Sequence, residues 1–87
     1  MYIILVYDIG EERVTRILKI CRKYLTWVQN SVFEGEITEA NLVKLKTELK
    51  KNMKKEDDSI IIYGLRTTLY SFRETMGKEK GGEEIFI

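Results

Sequence analysis

Two short stretches constrain this chain more than anything else in it. Residues 2–8 (YIILVYD) and 59–65 (SIIIYGL) are rich in β-branched and aromatic side chains and too short for core helices, so both read as strands. Each is apolar on both sides. Ile4 and Val6 point one way and Ile3, Leu5 and Tyr7 the other, while Ile60 and Ile62 oppose Ile61 and Tyr63. Strands of this kind need cover on both faces of their sheet.

The chain has 87 residues, enough for one small domain with a modest core. Gly10 ends the first strand, and Glu11 and Glu12 follow where a helix N-terminus favours negative charge. Val14, Ile17, Leu18, Cys21 and Leu25 then recur at steps of three and four, which predicts an amphipathic helix over 11–25. Arg13, Arg16, Lys19, Arg22 and Lys23 decorate its other sides. Residues 27–37 (WVQNSVFEGEI) are strand-like, with Asn30-Ser31 marking either a bend or a tight hairpin. Thr38 is placed to cap a second helix that runs to about residue 53, with Leu42, Leu45, Leu49 and Met53 inward.

KKEDDS (54–59) reads as a solvated turn, TTLYSFRE (67–74) as a further strand, GKEKGG (77–82) as a linker and EEIFI (83–87) as a short apolar strand. The reading therefore divides the chain into a domain over 1–78 and a linker with a C-terminal strand over 79–87. The order β-α-β(β)-α-β fits an α+β, ferredoxin-like βαββαβ sandwich. Right-handed crossovers put both helices on one face of the sheet. The other face is left apolar, and a homodimer packed sheet against sheet is the simplest cover. If the strands cross at the two-fold axis, Asp8 at the end of the first strand faces its own symmetry mate.

Composition narrows the chemistry. There is no histidine and only one cysteine, Cys21, so disulfides within the chain, His-based triads and ordinary zinc sites are poor fits. Catalysis must run on carboxylates, basic side chains, hydroxyls or a hard metal bound by oxygen. A net charge of +1 does not by itself announce nucleic acid. The N-terminal apolar run lacks a basic leader, no stretch has membrane-spanning length, and the expected location is the cytoplasm.

Asp8 is the principal candidate. It caps the following helix, pairs with Arg13 or Arg16, or holds Mg²⁺, which takes one or two carboxylates with waters and phosphate oxygens completing its shell. Arg13 and Arg16, one turn apart, are either a solvated face or forks for phosphate oxygens. Ser31 is a turn hydroxyl and Phe33 a core ring, or else both line a nucleic-acid groove, the ring by stacking. The lysines at 44, 46, 50, 51, 54 and 55 form a basic helix face that the acidic run Glu56-Asp57-Asp58 dilutes.

These pieces occur in a familiar order. "VYDI" closing the first strand, "RILKICRKY" on the first helix, "VQNSVFEGEIT" before the second and "DDSIIIYGL" after it resemble the small CRISPR-associated endonuclease family, the second of the two near-universal spacer-acquisition proteins. The resemblance implies a ferredoxin-like homodimer with facing sheets, in which EEIFI extends the partner's sheet. It implies that Asp8 of each subunit binds Mg²⁺ or Mn²⁺ and is catalytic in cutting RNA or DNA. It also implies partners: CRISPR integrase dimers and the protospacer duplex they insert.

Arg16 matches a basic position on the family's first helix better than Arg13 does. At Leu25-Thr26-Trp27 the chain departs from the family's glycine and basic residue, which puts a phosphate contact there in doubt. Three functions stay open: a metal-dependent endonuclease of CRISPR adaptation, a non-catalytic adaptor bridging integrase and DNA, and a toxin-like ribonuclease of the same fold.

Overall fold

The computed structural model describes residues 1–65 and 70–78. The elements run β1 (Tyr2–Asp8), α1 (Glu11–Tyr24), β2 (Thr26–Gln29), β3 (Val32–Glu36), α2 (Glu39–Asn52), β4 (Ser59–Leu65) and β5 (Tyr70–Gly77). They form a five-stranded sheet in the order β2-β3-β1-β4-β5 with every neighbouring pair antiparallel. The first four strands and two helices are the expected ferredoxin-like βαββαβ unit. β5 adds to it as a hairpin on β4.

The two doubly apolar stretches are β1 and β4, neighbours at the heart of the sheet. Ile3, Leu5 and Tyr7 face the helices and are buried there with Phe33, Ile60 and Ile62. Ile17, Ile20 and Cys21 of α1 and Leu45 and Leu49 of α2 close this layer. Burying side chains of this size stabilises by about 1.5–3 kcal/mol each. Cys21 is wholly buried, and burial pushes its thiol pKa up to about 12, so it behaves as a small core hydrophobe.

The opposite face carries Tyr2, Ile4, Val6 and Asp8 of β1, aligned with Leu65, Tyr63, Ile61 and Ser59 of β4. Tyr2, Ile4 and Val6 are half-buried, and neither helix packs on this side. The expectation that two helices cover one face only is met.

Local signals account for most element boundaries. The alternative left at Asn30-Ser31 resolves as a two-residue hairpin turn between Gln29 and Val32, with Asn30 at φ 44°. Asparagine tolerates that left-handed backbone, as such hairpins require. Thr38 caps α2, its Oγ1 accepting from Asn41 N–H at 3.1 Å.

Of the strand expected over 67–74, residues 70–74 are strand and 67–69 lie outside the described residues. β5 continues through Thr75 and Met76 to Gly77, because Ser59–Ile62 offer an edge that pairs with Glu74–Gly77. Gly77 therefore ends a strand instead of opening a linker. The remainder of the expected linker and the strand at 83–87 lie outside the described residues. Among the described residues no helix is long and apolar enough to cross a membrane.

Candidate functional site at the end of the central strands

One end of the sheet gathers most of the chemistry. β1 ends there at Asp8, β4 begins at Ser59 directly opposite, and β5 leaves at Gly77 opposite Ser59. The β2–β3 turn is at the same end, since Tyr7 N–H donates to Ser31 O at 3.0 Å. Helix α1 starts three residues beyond Asp8, so its positive N-terminal end points here too.

Asp8 is exposed at this end, on the side of the sheet that the helices leave open. It does not cap α1. The N-cap is Gly10, whose carbonyl accepts from Arg13 N–H at 2.9 Å and which contributes no side-chain cap.

The carboxylate that serves the start of α1 is Asp58, a residue the sequence presented as part of a solvated charge run. It is completely buried. Gly10 N–H donates to its Oδ1 at 2.8 Å and Lys54 N–H to its Oδ2 at 2.8 Å. Arg13 closes a fork on it, Nη2 to Oδ1 at 2.8 Å and Nε to Oδ2 at 2.6 Å. Each oxygen thus accepts two hydrogen bonds, which compensates the burial of a charge. The Arg13 fork, helped by the Lys54 and Gly10 N–H groups, holds the Asp58 carboxyl well below the usual carboxylate range despite its burial. Lys55, Glu56 and Asp57 beside it are exposed, as a solvated turn requires.

The other candidates separate. The Arg13 guanidinium is committed to Asp58 and is only 15% exposed, so as folded it is not a free phosphate fork. Arg16 is exposed and makes a long contact of 3.4 Å to Asn52 Oδ1. Ser31 is half-exposed in the hairpin turn beside the end of β1. Phe33 needs correcting as a stacking platform: it is 0% exposed, and its ring stacks on Tyr7 with centroids 6.2 Å apart. Its position in register with Leu5 turns it into the helix layer, where no base can reach it. The basic face of α2 is partly spent, because Lys46 pairs with Glu74 of β5 at 2.8 Å.

Asp58 was the functional-end residue that sequence reasoning missed. The only local signal is an aspartate directly before an apolar strand, and its partner Gly10 lies 48 residues away.

The divalent metal implied by the resemblance can be tested against these donors. Among the described residues no group of three or more His, Cys, Asp or Glu side chains comes together. Asp58 is saturated and Cys21 is in the core, whereas Asp8 is a hard oxygen donor at an exposed strand end. One such carboxylate suits a Mg²⁺ ion that draws its remaining ligands from water and phosphate.

Comparison with known proteins agrees with this architecture. The family model described as CRISPR associated protein Cas2 matches residues 1–71. The chain is 51% identical to the CRISPR-associated endoribonuclease Cas2 of Pyrococcus furiosus over the whole of both chains. It is 50% identical to the protein of the same name from Dictyoglomus turgidum over 97% of each chain. Among solved structures, one described as a crystal structure of cas2 superposes with a TM-score of 0.70 at 41% identity, covering 100% of this chain and 98% of the other. Streptococcus pyogenes Cas2 superposes with a TM-score of 0.70 at 35% identity, covering 76% of this chain and 87% of the other. A βαββαβ sheet with an added fifth strand, matched in sequence along its length, places this chain in the CRISPR-associated Cas2 family.

Proposed function

We propose that this protein is a metal-dependent endonuclease of CRISPR adaptation that works as a homodimer in the cytoplasm, with Asp8 of each subunit sharing one Mg²⁺ or Mn²⁺. The observation that carries the reading is the position of Asp8, exposed at the end of a central strand on the sheet face that no helix covers. The names of the relatives favour RNA as substrate. A second subunit on the open face would bury Ile4, Val6 and Tyr63 further.

A divalent cation supplies Lewis-acid polarisation of a phosphodiester and a more acidic bound water. Asp8 from each subunit would contribute the anionic oxygens that hold it. Two such carboxylates face to face repel unless a cation or proton lies between them, so metal binding and dimer geometry are linked. Arg16 presents its guanidinium to solvent on α1 and steadies substrate phosphates. Ser31, in the turn beside β1, lies at the same end of the sheet as Asp8. In the same reading the dimer also meets CRISPR integrase dimers and the protospacer duplex.

Subunit mixing tests the shared site. Wild-type and Asp8→Asn subunits are mixed in increasing proportion, allowed to exchange, and assayed on single-stranded RNA with Mg²⁺. Activity that falls as the square of the wild-type fraction supports one site built from two Asp8 residues. A linear fall contradicts it. Wild-type protein that cuts neither RNA nor DNA yet still binds integrase would make bridging the function.

A further inference from the structure

We infer that Arg13 and Asp58 are positioning residues for Asp8, and that Arg13 acts through the end of β1 and not by touching the substrate. The inference rests on Asp8 being the metal ligand proposed above.

The geometry converges on Asp58 from three chain segments at the Asp8 end of the sheet. Its side chain binds the β1–α1 corner through Gly10 N–H, two residues past Asp8, and through the Arg13 fork. It also binds its own preceding loop through Lys54 N–H, and its backbone N–H donates to Lys54 O at 2.8 Å. Its carbonyl receives Lys78 N–H at 2.8 Å, where β5 leaves the sheet. The next residue, Ser59, is the one aligned with Asp8.

Two glycines show how closely the segments approach this point. A Cβ at Gly10 would lie 2.4 Å from Arg13 Nη2, and a Cβ at Gly77, itself at φ 86°, would lie 2.3 Å from Asp58 O. Asp8 is therefore bracketed by Gly10 in the β1–α1 corner and Ser59 across the ladder. Both are fixed to a saturated carboxylate buried behind them.

A metal site that takes one ligand from each of two subunits depends on how rigidly each presents it, because a small misplacement doubles across the axis. Supporting residues that orient a ligand are worth 10–100-fold in metal affinity. Arg13 and Asp58 have no such reach to substrate: the fork is turned into the protein and occupied.

The test uses the full chain with Arg13→Gln, Arg13→Lys, Asp58→Asn and Asp8→Asn, at a temperature where circular dichroism shows each folded and sedimentation shows an unchanged oligomer. Mn²⁺ binding is measured by the electron paramagnetic resonance of the free ion, which needs no cleavage. KM and kcat on single-stranded RNA are measured beside it. The expected result is Mn²⁺ binding weakened about tenfold in Arg13→Gln and Asp58→Asn, less in Arg13→Lys, with kcat reduced and KM within about twofold of wild type.

A folded Arg13→Gln that binds Mn²⁺ as wild type does, but with raised KM, would make Arg13 a phosphate contact and overturn the positioning role. Mn²⁺ binding that survives in Asp8→Asn overturns the Asp8 reading and this one together, so the two failures are distinguishable. If Asp58→Asn does not fold, Gly10→Ala displaces the fork while keeping both charges. It is expected to weaken Mn²⁺ binding in the same direction, and unchanged binding would count against the proposal.

Discussion

Asp8 and Asp58 sit at the same end of one sheet, one residue apart in the β1–β4 register, and have opposite fates. Asp58 is buried and accepts four hydrogen bonds, two of them from one guanidinium. Asp8 is exposed on the face that the helices leave open. A buried carboxylate with every lone pair engaged holds structure together and has little capacity left for a ligand. An exposed carboxylate at a strand end stays in contact with solvent. The difference follows from the strand alternation and from where each strand stops, not from residue type.

The comparison is most exposed to a substitution at the buried partner. Replacing Asp58 by alanine leaves the Arg13 guanidinium and the Gly10 and Lys54 N–H groups without their acceptor. Asp58→Ala should cost about 3 kcal/mol in urea unfolding. A loss below about 0.5 kcal/mol would mean that the clamp is decorative.

The sequence made the apolar strands, both helices and the face that the helices do not cover legible, because each is written in local periodicity. It did not reveal Asp58, because the apolar strand that follows is the only local mark of burial. Its role depends on topology bringing residue 10 against residue 58, and a charge run looks solvated until that happens. Phe33 shows the complementary case. Its core position was one of two readings left open, and only the register with Leu5 decides which face it takes. The same contrast separates the helix starts: α2 is capped by its own Thr38 and was readable, whereas α1 relies on a carboxylate 48 residues away.

The pH dependence of stability sharpens the comparison further. The Asp58 pKa is lowered in the folded state, so its contribution is present in full above the unfolded carboxylate value, about 3.9. It is lost progressively as pH falls from there through the folded value. Urea midpoints at pH 7 and pH 3 should therefore differ more in wild type than in Asp58→Asn. Equal slopes would show that other carboxylates dominate the acid limb.

A smaller effect is expected at the locally capped helix. Thr38→Ala removes one side-chain acceptor from Asn41 N–H and should cost about 1 kcal/mol in thermal or urea unfolding. A loss comparable to that of Asp58→Ala would erase the distinction between a local cap and a tertiary one.

The smallest stability change belongs to the exposed carboxylate. Asp8→Asn should move the unfolding free energy by no more than about 0.5 kcal/mol without metal, as for surface positions in general. A large destabilisation would make Asp8 a structural residue like Asp58.

That contrast makes one measurement decisive: cleavage of single-stranded RNA by purified wild-type and Asp8→Asn protein across a Mg²⁺ titration, with folding and dimerisation checked in the same samples. A catalytic Asp8 predicts cleavage that rises with Mg²⁺ in wild type and disappears in a folded, dimeric Asp8→Asn. Equal Mg²⁺-dependent cleavage by the two proteins would place the active site elsewhere.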